Sequence, residues 1–242
     1  MCGRIALYTE PDRLSRIFDA QLALGIDTDG HPIYNVPPTE RVLGIVAAGP
    51  GSDPDAQPAR LIDQFRWGLI PPGAKEAKVG SRMFNARGET LASRSAFRSA
   101  FLSRRVAVLA DGFYEWGPGV GKQRQPYFFH RADGQPMTMA GLWGRWCPPA
   151  GDGDTGDRQA IQTCAIVTTS AGPDMEGIHD RMPVILESDA LDPWLDPDNH
   201  DREELEGMVR ASRLETLRHY PVDLRVGNVR NDGPELVEPL PG

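Results

Sequence analysis

The run Val106-Ala107-Val108-Leu109-Ala110 carries no polar side chain and is stopped at once by Asp111-Gly112. A segment this short, apolar and β-branched, bounded by turn residues, predicts a strand buried on both faces. Such a strand needs hydrogen-bonding neighbours on either side and apolar cover above and below, so the chain must build a layered sheet around it. Further strands are predicted over residues 2–8, 42–47, 59–67, 126–131, 136–143, 164–169, 183–186 and 222–226. The second and third of these read as sheet neighbours joined by the polar linker 49–54. Ala132-Asp133-Gly134-Gln135 reads as a hairpin turn between 126–131 and 136–143, because Asp-Gly suits positions of positive φ. Helices are predicted to start near Thr9 and Pro11, with Leu14, Ile17 and Phe18 on one face, and to run over 89–103 and 201–212. In 89–103 the stripe Ala92, Ala96, Phe97, Ala100 and Phe101 is read as core packing.

This alternation predicts an α+β fold with a mainly antiparallel sheet. At 242 residues the expectation is one domain over residues 1–236, with a C-terminal tail at 237–242 and a mobile Gly-, Pro- and Asp-rich surface loop at 147–160. No apolar run approaches the roughly 18 residues that span a bilayer, and the N-terminus lacks a secretory or transit pattern, so a cytoplasmic protein with no membrane partner is expected. Cys2, Cys147 and Cys164 have no paired spacing and the five histidines are scattered, so no disulfide, metal or cofactor is expected. Net charge is −8, which argues against a nucleic-acid partner until its distribution is considered. From Arg82 to Arg105 the sequence holds Arg82, Arg87, Arg94, Arg98, Arg104 and Arg105 against the single acid Glu89, enough for one basic face on an acidic body.

Cys2 is the residue with the most specific chemistry. By itself a second-position Cys is as readily a buried structural thiol as a nucleophile. Removal of Met1, by the protein itself or by an aminopeptidase, would leave an amine and a thiol on adjacent carbons. Typical values of about 7.7–8.0 for an α-amine and about 8.5 for a thiol give both a nucleophilic form near neutral pH. The pair condenses with an aldehyde: the amine forms an imine and the sulfur closes a thiazolidine ring. Asp111-Gly112-Phe113-Tyr114-Glu115-Trp116 sets an acid among aromatics at the end of an apolar strand, where a desolvated carboxyl suits proton transfer. His179 and Arg181 precede the strand at 183–186, and Asn85 and Arg87 stand at the expected entrance of the 89–103 helix, where a helix cap is the bland alternative.

Together with Met1-Cys2-Gly3-Arg4, Tyr34-Asn35-Val36-Pro37-Pro38-Thr39, Arg66-Trp67-Gly68-Leu69-Ile70-Pro71, Gln125-Pro126-Tyr127 and Ala140-Gly141-Leu142-Trp143, these segments resemble the SOS-response-associated peptidase (SRAP) family of abasic-site-processing proteins. The resemblance covers nearly the whole chain. It implies a barrel-like β core flanked by helices, a monomer, and single-stranded DNA containing abasic sites as partner. It also implies that Cys2 is the nucleophile, Asn85 positions its amine, Glu115 shuttles protons and His179 assists opening of the abasic sugar. Arg4, Asn35, Arg87 and Arg181 would hold phosphates, and Pro38 would press on a base. Two departures stand out: Gly73-Ala74-Lys75 follows Pro71-Pro72 where an aromatic is frequent in the family, and Asp223 replaces a small hydroxyl residue. Rival readings are an N-terminal-nucleophile amidohydrolase, which can also begin Met-Cys-Gly, and a non-enzymatic single-strand-binding module.

Overall fold

A computed structural model describes residues 2–26, 32–48, 60–149, 159–211 and 217–241. From the N-terminus, β1 (Ile5–Leu7) leads through α1 (Pro11–Phe18) to β2 (Ala20–Leu22), β3 (Ile33–Val36), β4 (Arg41–Ala47) and β5 (Arg60–Trp67). A short β6 (Asn85–Arg87) precedes α2 (Ser95–Ser103), and β7 (Arg105–Ala110), β8 (Gly112–Gly117), β9 (Gln125–Arg131) and β10 (Met137–Trp146) follow. The chain ends with β11 (Ile161–Ser170), β12 (Arg181–Pro183), β13 (Ile185–Leu186), α3 (Ser188–Leu195), α4 (Arg202–Ala211) and β14 (Leu217–Pro221).

Strands β4, β5, β11, β10 and β7 close on themselves as a five-stranded barrel in a single α+β domain. Strand direction cannot alternate all the way round an odd ring, so one seam has to be parallel. That seam joins β5 to β11 through Arg66 opposite Thr163 and Trp67 opposite Cys164, while the other four pairings are antiparallel. A second sheet, in the order β14-β9-β8-β1-β3, packs beside it.

The unbroken apolar character of β7 follows from this arrangement. Val106, Val108 and Ala110 join a cluster with Ile5, Phe113 and Phe129 of the second sheet, whereas Ala107 and Leu109 face Phe97, Phe101 and Trp194 of the helical layer. Both faces of the strand are therefore core, and alternation is lost as expected for a strand covered twice. Arg105, at the head of β7, is buried and lies outside any basic face.

Several local expectations are corrected. The Asp133-Gly134 turn exists, with Gly134 at φ +68° and its N–H donating to Arg131 O at 3.0 Å, but β9 and β10 do not pair. β9 joins β8 and β14 while β10 joins β7 and β11, because a turn reverses the chain without choosing its partner. The helix expected over 89–103 is a 3₁₀ turn at Gly88–Thr90 followed by α2. At 224–227 there is a 3₁₀ turn in place of a strand, and the Asp223 carboxylate caps it by accepting the Arg225 N–H at 2.8 Å. The helix expected near Thr9 and Pro11 does start at Pro11, with Glu10 in the cap position and the Thr9 hydroxyl donating to Asp111. The linker 49–54 and most of the 147–160 segment fall outside the described residues. Part of the expected tail is held in place, with Tyr220 Oη donating to Val237 O at 2.7 Å and Leu240 N–H to Pro221 O at 2.9 Å. Among the described residues no helix is long and apolar enough to cross a membrane.

Candidate active site

The N-terminal segment is bound along its length. Ile5 pairs with Phe113 of β8 and Val36 of β3, and Arg4 O accepts the Tyr114 N–H at 2.9 Å. At the far end the Asp111 carboxylate accepts the Tyr8 N–H at 2.6 Å, the Thr9 N–H at 2.7 Å and the Thr9 hydroxyl at 2.6 Å. Three donors on one carboxylate fix the chain just beyond β1, and Gly112 is required next to it because a Cβ there would collide with the Phe128 ring. Hydrogen bonds to a charged group are typically worth about 1.5–3 kcal/mol. Asp111→Asn, which turns an acceptor edge into a donor facing donors, is therefore expected to cost roughly 2–3 kcal/mol in urea denaturation.

Cys2 lies at the near end of this segment, fully buried in the apolar cluster that the barrel strands share with the second sheet. Burial pushes its thiol well above the usual range; the negative charge of Glu115 adds to this, and a hydrogen bond from the Arg4 backbone N–H opposes it. Glu115 is itself 3% exposed, on the strand face that bears Phe113, directly opposite Tyr127 of β9. The β1–β8 pairing thus carries Cys2 towards Glu115, the second buried acid of the Asp111–Trp116 segment.

Asn85 comes from the opposite side. It lies in β6 and not at a helix entrance, parallel to Ile166 of β11. Its Nδ2 donates to Cys2 O at 2.7 Å, and its buried Oδ1 has no hydrogen-bond partner among the described residues. The preceding residue is clamped, since Phe84 O accepts both the Trp67 indole N–H at 2.8 Å and the Ile166 N–H at 3.0 Å. Asn85 is therefore a pre-positioned amide with one acceptor open beside the Cys2 backbone. Sequence reading missed Trp67 as its support; the only signal was an aromatic directly before Gly68 at a strand end.

His179 stands in the turn before β12, where its Nδ1 accepts the Arg181 N–H at 2.9 Å. Asp180 Oδ1 also lies 2.9 Å from Nδ1. Neighbours Ile178 and Met182 pack in the same cluster as Cys2, and an open groove of about 640 Å³ runs past His179 between Pro173, Glu176 and Asp180.

The remaining candidates divide by exposure. Arg4 and Asn35 are buried and bound to each other, Arg4 Nη1 donating to Asn35 Oδ1 at 2.7 Å and to Val226 O at 2.6 Å. Asn35 Nδ2 in turn donates to Asn231 O at 2.7 Å and Asn228 O at 3.1 Å, so this pair ties the N-terminal strands to the C-terminal segment. Arg87 is exposed on β6 opposite Thr168, and Arg181 reaches Thr168 O at 2.7 Å from the other side of β11. Pro38 is half-buried in a turn whose next residue, Thr39, has φ +82°. A β-branched residue in the left-handed region is strained, a condition that concentrates at functional sites.

Residues 1–229 match the model of a family described as SOS response associated peptidase (SRAP). The abasic site processing protein YoqW of Bacillus subtilis is 35% identical over 98% of this chain and 99% of its own length. The abasic site processing protein YedK of Escherichia coli is 31% identical over 99% and 100%. Among solved structures, a protein from Bacteroides thetaiotaomicron superposes with a TM-score of 0.82 at 22% identity, covering 99% of this chain and all of that one. At that identity the likeness concerns the fold.

Proposed function

We propose, from the premise that this chain belongs to the SOS response associated peptidase (SRAP) family, that it processes abasic sites in single-stranded DNA by covalent capture at Cys2. The observation that carries this reading is Asn85, which holds Cys2 O at 2.7 Å while its own Oδ1 stays open. Loss of Met1 would leave an α-amine on Cys2, on the carbon next to that carbonyl, and the open amide oxygen is the acceptor that would orient it.

The chemistry then follows from the neighbours. An abasic deoxyribose is mostly a closed hemiacetal, and protonation of its ring oxygen by His179 speeds release of the aldehyde; such proton transfers contribute about 10²–10⁴-fold. The amine adds to the aldehyde carbon and water leaves, giving an imine. The Cys2 sulfur then bonds to the same carbon, the C=N double bond becomes single, and the thiol proton ends on nitrogen. Burial and the Glu115 charge favour the protonated thiol; its proton moves during ring closure, and Glu115 would carry it. The balance is amine plus thiol plus aldehyde giving thiazolidine plus water. Elimination from the imine would instead cut the strand, so lyase activity competes with ring closure. Arg87 and Arg181 would hold phosphates without reading sequence, and Pro38 would press on a flanking base.

The test is to mix the purified protein with single-stranded DNA bearing one abasic site. A band surviving denaturing electrophoresis, with an intact mass equal to protein lacking Met1 plus DNA minus water, is expected. A mass without loss of Met1, or no adduct, would overturn the reading.

A further inference from the structure

The guanidinium of Arg181, a candidate phosphate ligand, is already engaged. Its Nη1 donates to Glu89 Oε1 at 2.5 Å and its Nη2 to Glu89 Oε2 at 2.9 Å, while Nη2 also reaches Thr168 O at 2.7 Å. Nε is buried and has no partner among the described residues. The arginine side chain is 13% exposed and the glutamate 50%, so the carboxylate covers the side from which a ligand would arrive. Arg87 lies close as well: the hydrogen bond from Arg181 is the main influence holding the Glu89 carboxyl below its usual range, and the charge of Arg87 assists. The residue before Glu89 packs tightly, since a Cβ on Gly88 would collide with Val209.

The planar fork that grips a carboxylate is the fork that grips a phosphate. Both cannot use the two terminal nitrogens together. We propose that Glu89 is a selectivity-determining residue, an internal competitor whose carboxylate must leave Arg181 before a DNA phosphate can take the fork. The inference rests on the single-strand-binding role proposed above. For an intact strand, held only by reversible contacts, displacing Glu89 weakens binding in full. At an abasic site the covalent step follows arrival, so product accumulates even from a weak encounter complex. Glu89 therefore widens the difference between lesion and intact DNA.

The experiment measures binding of an intact single-stranded oligonucleotide by fluorescence anisotropy for the wild type, Glu89→Gln, Arg181→Gln and the double variant, with thermal melts to confirm folding. Capture of an abasic oligonucleotide is followed in parallel, with and without excess intact competitor. Glu89→Gln should tighten intact-strand binding roughly threefold to tenfold. In the Arg181→Gln background the same change should have less than about a twofold effect. The final yield of captured abasic strand should match wild type with and without competitor, because either strand displaces the same carboxylate. Unchanged or weaker binding by Glu89→Gln overturns the proposal, as does equal tightening in both backgrounds, which would report only the removal of a negative charge. If Arg181→Gln binds intact DNA as the wild type does, Arg181 holds no phosphate, and the underlying DNA assignment fails instead.

Discussion

Cys2→Ala should eliminate the denaturation-resistant adduct with abasic single-stranded DNA, a loss of at least about 10²-fold, while leaving an adduct that borohydride can trap. The two halves of the reactive unit separate in this variant. On the proposed mechanism the α-amine that Met1 removal would release is retained, so the imine should still form. No sulfur remains to close the ring, and the imine either hydrolyses back or eliminates, so strand cleavage should rise as stable adduct disappears. Unfolding does not account for the result, because the thiol occupies little volume in its apolar cluster and its loss should cost about 1 kcal/mol. Parallel gels with and without borohydride check the prediction. A stable adduct formed by Cys2→Ala would assign the capture to another residue.

The same residue marks how far the sequence could be read. The proposed chemistry of an amine and a thiol on adjacent carbons is local, so position 2 suggests it without a fold. The strand at 106–110 was equally legible, since two covered faces leave no polar position. What was not legible depended on long-range pairing. Asn85 looked like the entrance to a helix because Glu89 to Ser103 has a helical apolar stripe, yet pairing with β11 puts it in a strand. The Asp133-Gly134 turn was seen correctly, while the separate destinations of β9 and β10 were set by which strands close the barrel. Asp111 illustrates a third case. The sequence showed it only as the turn residue that ends the 106–110 strand; its three donors come from just beyond the N-terminal strand, about a hundred residues earlier, and no local pattern announces them.

Arg105 belongs to that last class and should be the costliest single substitution outside the site. It was read as one more arginine of a basic stretch, yet it is 3% exposed, and among the described residues its guanidinium donates to backbone carbonyls and to no carboxylate. Its partners are backbone carbonyls: Phe101 O at 2.8 Å, Trp194 O at 2.5 Å, Asn199 O at 3.0 Å, and Asp196 O. Phe101 lies in the last turn of α2 and Trp194 in the last turn of α3. Helix C-termini leave carbonyls without intrahelical donors and carry partial negative charge, so two helix ends together serve as the counter-charge. The guanidinium thereby staples both helices to the head of β7. Arg105→Met keeps the bulk but strips every donor, leaving the carbonyls unsatisfied, and should destabilise by about 3–5 kcal/mol. For a domain of this size that corresponds to a fall in melting temperature of roughly 10 °C or more. Arg105→Lys should recover only part of the loss, because one ammonium cannot span acceptors that a planar fork reaches together. Urea denaturation of the three proteins measures this, and a cost below about 1 kcal/mol for Arg105→Met would show that the helix ends are held by apolar packing alone.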